Sequence, residues 1–286
     1  MTFAQTTLLG AIAGSTIFLG LPVGRLERVS ARTRVGLSML SAGVLAFLFM
    51  DVGAEALGIV EAHLDAYKEH EASLWPVIGN FALLSTGFLA GVGGIATAQR
   101  RLVPRPPVPP LAGGQSAAAM TASELTEHRA AISALERRAL QTGMVIAAAI
   151  GLHNFAEGLA IGVSAQAGQV GLATVLIVGF ALHNATEGFG IVGPLGAVRP
   201  SWTWLGVAGV VAGGPTFVGA MVGFQVTSDA LELLFFALAG GVILYVIGEI
   251  WAAVRRQGHA ELGLYLLGVG FLVGIATDLV VAYGGG

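Results

Sequence analysis

Residues 151–190 read GLHNFAEGLAIGVSAQAGQVGLATVLIVGFALHNATEGFG, and one short pattern occurs in them twice. His153, Asn154, Glu157 and Gly158 belong to HNFAEG, and His183, Asn184, Glu187 and Gly188 to HNATEG. A His and a Glu four positions apart stand one turn above each other on the same helix face. Each copy lies inside an apolar run long enough to cross a bilayer, for which about 20 residues suffice. Two such helices facing each other would gather two imidazoles, two carboxylates and two amides. That is a cation site inside a membrane.

Composition places the rest of the chain in the same class. Of 286 residues, 55% are hydrophobic and 11% charged, with a mean hydropathy of +0.80; soluble domains carry about 25% charged residues. There is no cysteine, which excludes disulfides, thiolate metal sites and thiol nucleophiles. A net charge of −3 offers no basic surface for nucleic acid, and the expected surroundings are a lipid bilayer.

Eight apolar segments can be drawn outward from the motif, near 3–23, 35–60, 74–98, 138–165, 170–193, 202–224, 231–254 and 261–283. No basic stretch precedes the first, which is expected to span the membrane and not to be a cleaved signal. Thirteen arginines fall in alternate connections: Arg25, Arg28, Arg32 and Arg34; Arg100, Arg101, Arg105, Arg129, Arg137 and Arg138; Arg199; Arg255 and Arg256. The only lysine, Lys68, falls on the other side. The positive-inside rule makes the arginine-bearing connections cytoplasmic and turns both termini outward. The fold class expected is an all-α integral membrane protein with eight transmembrane helices.

The whole chain, 1–286, reads as one transmembrane domain. Its long connection, 99–136, is cytoplasmic and rich in proline and glycine, with five prolines in Pro104–Pro110. From Thr121, a capping-box pattern with Glu124 opens a helix that runs on into the fourth segment. The stretch EAHLDAYKEHEAS (61–73) reads as an external loop, either simply solvated or gathering cations electrostatically. Small-x-x-x-small pairs, Gly209/Gly213, Gly219/Gly223 and Gly270/Gly274, suggest close helix packing.

Ionisable groups at mid-membrane persist where they pair, line a path or bind an ion. Here they are Asp51, Glu55, His153, Glu157, His183, Glu187, Glu249 and Asp278, with no Lys or Arg among them. Such a set needs protons or metal to neutralise it in a low dielectric. Imidazole with carboxylate suits Zn²⁺, Fe²⁺, Mn²⁺, Co²⁺ or Ni²⁺, with Cd²⁺ a further candidate; an all-oxygen set would suit Mg²⁺ or Ca²⁺ better. Two His and two Glu match four-coordinate zinc in type and number. Asn154 and Asn184 could offer carbonyl oxygens to a second, weaker position, with Glu157 and Glu187 bridging. Asp51 and Glu55 line an entry path or bond between helices. Glu249 is an exit-path residue or a partner of Arg255 and Arg256, and Asp278 is read as structural.

The paired motifs resemble those of the ZIP (Zrt-, Irt-like protein) divalent metal transporters, bacterial type, whose fourth helix carries H-N-x-P-E-G. Agreement extends over the eight helices, the outward termini and the cytoplasmic loop. SAGVLAFLFMDVGAEAL (41–57) and GGVILYVIGEI (240–250) look like that family's second and seventh helices. The resemblance implies an importer in the cell (inner or plasma) membrane, a homodimer, with helices 1–3 and 6–8 as inverted repeats around helices 4–5. It implies a two-metal centre, with His153, Glu157, His183 and Glu187 at the primary position and Asn154 and Asn184 at its neighbour. The chain departs from the family in three places. Ala156 and Thr186 replace the motif proline; AGGPTFVGAMVG (212–223) has no acidic ligand; and the loop has a single histidine, His128.

Two rival classes are an intramembrane metallohydrolase and a metal-binding membrane sensor. The first needs a general base and an open coordination position, but H-E-x-x-H is absent and no third mid-membrane histidine completes a hydrolytic set. The second would bind metal without moving it. The function expected is movement of Zn²⁺ toward the cytoplasm, with no catalytic cofactor.

Overall fold

In a bilayer every backbone N–H and C=O must be satisfied within the chain, and a run of apolar residues meets that demand as a helix. The computed structural model describes residues 1–26, 29–103, 121–168, 170–225, 228–257 and 259–283, and their regular structure is helical throughout. The elements are α1 (Phe3–Ser15), α2 (Ile17–Gly20), a 3-10 turn (Leu21–Arg25), α3 (Ala31–Lys68), α4 (Trp75–Leu102) and α5 (Ala122–Gln166). There follow α6 (Val170–Val192), a second 3-10 turn (Gly193–Leu195), α7 (Trp202–Gln225), α8 (Asp229–Gln257) and α9 (Ala260–Tyr283). Seven stretches, counting Phe3–Arg25 as one, are long and apolar enough to cross a membrane. By sequence the eighth is α6, 23 residues with Glu187 as its one charged side chain. Pro104–Pro110, Arg28 and Arg105 lie outside the described residues.

Two boundaries differ from expectation, and one element runs as the absence of the motif proline allows. The first segment is interrupted at Thr16, whose hydroxyl lies 2.8 Å from Ala13 O and 2.7 Å from Ala181 O of α6. A side chain reaching a neighbouring helix offers the backbone an alternative to its own ladder. The acidic stretch after the second apolar segment, expected as a loop, continues α3 as far as Lys68, which pairs with Asp65 at 2.8 Å. Hydropathy marks where the membrane ends, and good helix formers carry the helix past it. Finally, α5 passes unbroken through Ala156; the proline sits instead at Pro215, inside α7. The capping box at Thr121 and Glu124 forms as expected.

Glycines set how closely these helices approach. A Cβ on Gly158 would collide with Thr216 O of α7, and one on Gly219 or Gly223 with Phe155 O or Leu159 O of α5. Gly43 and Gly270 bring α3 against α9 in the same way, and Gly91 and Gly241 bring α4 against α8. Gly14 and Gly213 face each other's carbonyls where α1 crosses α7. All three glycine pairs singled out in the sequence lie at such crossings. Without a hydrophobic drive between helices in lipid, this close packing supplies much of the cohesion.

At the arginine-bearing ends, the connection after α6 is tied down. Arg34 donates to Gly196 O, Arg25 to Pro200 O (2.6 Å) and Gln257 to Gly193 O (3.4 Å). Gly196 has φ 60°, a left-handed conformation that glycine adopts without cost.

Gly270→Ala should lower the melting temperature in detergent, at a cost of about 1–3 kcal/mol for overpacking. Gly53→Ala, where nothing lies within 4 Å, should leave it unchanged.

Candidate metal centre

The two motif copies lie on α5 and α6 and meet inside the bundle. His153 (1% exposed), Glu157 (4%) and Glu187 (0%) converge, with one donor atom from each lying within 4.8 Å of the others. His153 Nε2 stands 3.1 Å from Glu157 Oε1 and 3.8 Å from Glu187 Oε1. Donors around a tetrahedral zinc stand roughly 3.3 Å apart, given bonds of about 2.0–2.1 Å. The observed separations bracket that value.

His183 departs from the four-donor expectation. It is buried and lines the same cavity, but it lies outside this three-residue cluster. Its Nε2 is 2.6 Å from Thr277 Oγ1 on α9, and its ring meets Phe47 edge-on, centroids 6.5 Å apart. A hydrogen bond to a third helix therefore sets where this imidazole sits.

The asparagines each make one defining bond. Asn154 Nδ2 donates to Ala212 O of α7 at 3.0 Å, and Asn184 Nδ2 donates to Ala13 O of α1 at 3.1 Å. A carbonyl only accepts, so the amide nitrogen must face it and the amide oxygen is left over. Both Oδ1 atoms are buried without a hydrogen-bond partner. One turn on in each copy, the motif glycine packs on the next turn of the neighbouring segment, Gly158 against Thr216 O of α7 and Gly188 against Ile17 O of α2, which follows α1.

Among the described residues, most buried side-chain nitrogen and oxygen atoms lacking a hydrogen-bond partner belong to these six side chains. Both oxygens of Glu157 and of Glu187 are among them, as is Nδ1 of His153 and of His183. Native interiors leave few polar atoms orphaned, and a cluster of them calls for an explanation, of which a bound ion is one.

A cavity of about 250 Å³ leads to the centre. Its charged or imidazole-bearing lining is Asp51, Glu55, His153, Glu157, His183, Glu232 and Asp278, with no Lys or Arg. Its lining comes from the C-terminal parts of α5 and α9, the middle of α3 and of α6, and the N-terminal part of α8. On the opposite side of the centre, Leu45, Ile146, Ile150, Ile191, Ile243 and Ile250 are fully buried in one cluster. Asp51, Glu55 and Asp278 thus line one cavity. Glu249 is off this cavity, its Oε1 accepting from Tyr245 O–H at 3.3 Å.

Glu232, Ser164 and Thr277 went unnoticed in the sequence. Glu232 lies in the first turn of α8 and reads there as an ordinary helix-end charge. The one available signal for Thr277 was its place beside Asp278.

The fold is that of a polytopic helical membrane protein, with a buried group of donors that could hold a metal ion. The family described as ZIP zinc transporter matches residues 110–252. The zinc transporter ZupT of Akkermansia muciniphila is 26% identical over 280 residues, which covers 96% of this chain and 94% of that protein. ZupT of Corynebacterium aurimucosum is 26% identical over 294 residues, covering 98% and 96%. This chain belongs to the ZIP zinc transporter family, and its function is the transport of divalent metal cations across a membrane.

Asn154→Asp should destabilise the metal-free protein, because a carboxylate cannot donate to Ala212 O. A loss of about 0.5–1.5 kcal/mol is expected for the lost hydrogen bond, read as a lower melting temperature in chelator. An aspartate that left the melting temperature unchanged would argue that the amide serves the metal alone.

Proposed function

We propose that this protein carries Zn²⁺ from the outer side of the cell membrane into the cytoplasm. The observation behind this is the cavity whose carboxylates, Asp51, Glu55, Glu232 and Asp278, lead to His153, Glu157 and Glu187. The name zinc transporter borne by both relatives favours zinc as the cargo. Their coverage of nearly the whole chain supports a single transport domain over 1–286, with 99–136 as its cytoplasmic connection. By the arginine pattern the cavity faces outward, with both termini on that side, and the packed aliphatic cluster closes the inner half.

In this mechanism a hydrated cation is drawn in by the carboxylates and loses water stepwise as it descends. His153, Glu157, His183 and Glu187 replace that water, and the oxygens of Asn154 and Asn184 serve a second, weaker position. Excess negative charge in low dielectric makes the exchange favourable. Release requires the aliphatic plug around Ile150, Ile191 and Ile250 to part while the outer cavity closes. Glu249 lies on the inner half of α8, where it can meet the departing ion. Protons compete for the same ligands, so transport should weaken as the pH falls.

Inverted repeats of helices 1–3 and 6–8 supply a way to alternate. The matched bonds of Asn154 to α7 and of Asn184 to α1 support that arrangement. So do the paired glycine crossings of α3 with α9 and of α8 with α4. The working unit is taken to be a homodimer.

The test is ⁶⁵Zn²⁺ uptake into proteoliposomes. Wild type should give saturable flux, and Glu157→Ala/Glu187→Ala should reduce it to the level of empty vesicles. His183→Ala should lose saturable uptake while reaching the membrane normally. Wild-type flux in the double variant would overturn the site assignment. Zinc binding without flux would overturn the assignment of zinc as cargo.

A further inference from the structure

The centre is touched by a hydroxyl that belongs to neither motif copy. Thr277 Oγ1 lies 2.6 Å from His183 Nε2 and 2.7 Å from Gly274 O, one turn back on its own helix. A hydroxyl has one hydrogen, and a carbonyl oxygen can only accept. The hydrogen therefore goes to Gly274, and the oxygen presents a lone pair to His183. Nε2 must then carry the imidazole hydrogen, which leaves Nδ1 as a bare lone pair. That atom is buried and has no hydrogen-bond partner. Phe47, which also lines the cavity, meets the ring edge-on and is itself packed against Gly274, where a Cβ would lie 2.6 Å from it.

The geometry points to Thr277 as a positioning residue of the metal centre: its hydroxyl holds His183 in the Nε2–H tautomer and offers Nδ1 to the cation. His153 is used the other way round, since its Nε2 faces the two carboxylates. The centre thus takes opposite nitrogens from its two histidines, a difference that their identical motif positions conceal. Thr277 also joins α6, which carries the ligand, to α9, whose next residue, Asp278, lines the approach. A metal-bound histidine commonly donates its second N–H to an oxygen, and removing that oxygen costs about 10- to 100-fold in affinity. The inference rests on His183 being a ligand, as proposed above.

The experiment uses the full chain in detergent, with zinc affinity measured by calorimetry and the histidine tautomers by ¹⁵N NMR. With six histidines in the chain, His183→Ala assigns the signal. Wild type should show His183 protonated on Nε2. Thr277→Val should lose that single tautomer and bind zinc about 10- to 100-fold more weakly. Thr277→Ser, which keeps the hydroxyl, should restore both. In a His183→Ala background, Thr277→Val should cause no further loss, whereas packing damage would add to it. Wild-type affinity in Thr277→Val beside a weakened His183→Ala would overturn this inference alone. An Nδ1–H tautomer in wild type, or additive losses, would do the same. Undiminished zinc binding by His183→Ala would overturn the ligand assignment itself, and this inference with it.

Discussion

Two carboxylates, Glu157 and Glu187, lie buried in the bundle with none of their oxygens hydrogen-bonded and no Lys or Arg lining the cavity that reaches them. Burying unpaired charge is among the costliest things a fold can do. The remaining structure makes this arrangement tolerable and useful. His153 stands beside both carboxylates, a cavity reaches the centre from one side, and an aliphatic cluster fills the other. An interior of this kind is stable in proportion to what it binds, which suits a protein whose substrate is an ion.

Holding such a centre open requires a rigid frame, and the frame comes from close backbone approach. The motif shows how the tasks divide. Histidine and glutamate face the centre, asparagine pins the helix to a neighbour's carbonyl, and glycine one turn on lets that neighbour come close. Each copy does this against a different part of the bundle, α7 for the first and α1 with the following α2 for the second. The centre is therefore fixed by four helices, although its six motif residues come from two.

The two halves of the bundle are unequal in filling. Carboxylates and a cavity occupy one side, and branched aliphatics at interior density the other. Transport requires the packing of that aliphatic side to be exchangeable. The bonds from Arg25, Arg34 and Gln257 tie the connection after α6 to its neighbours on that side.

By itself the sequence determined the class of fold and singled out the three side chains that the structure brings together. Spanning helices follow from length and apolar composition, because a bilayer permits few other structures. The capping box at Thr121 and the glycine pairs were legible too, being local signals with a fixed spacing. The grouping of His153, Glu157 and Glu187 was foreseeable because two identical motifs on adjacent helices have few ways to face each other. Only the tertiary structure decided the rest. Which nitrogen His183 presents depends on Thr277, far along the chain, and Asp278 and Glu232 join the cavity through how α8 and α9 lean on α3. The break at Thr16 depends on a carbonyl of α6. None of these leaves a periodic trace, because each is a contact between elements whose relative placement is set by close packing.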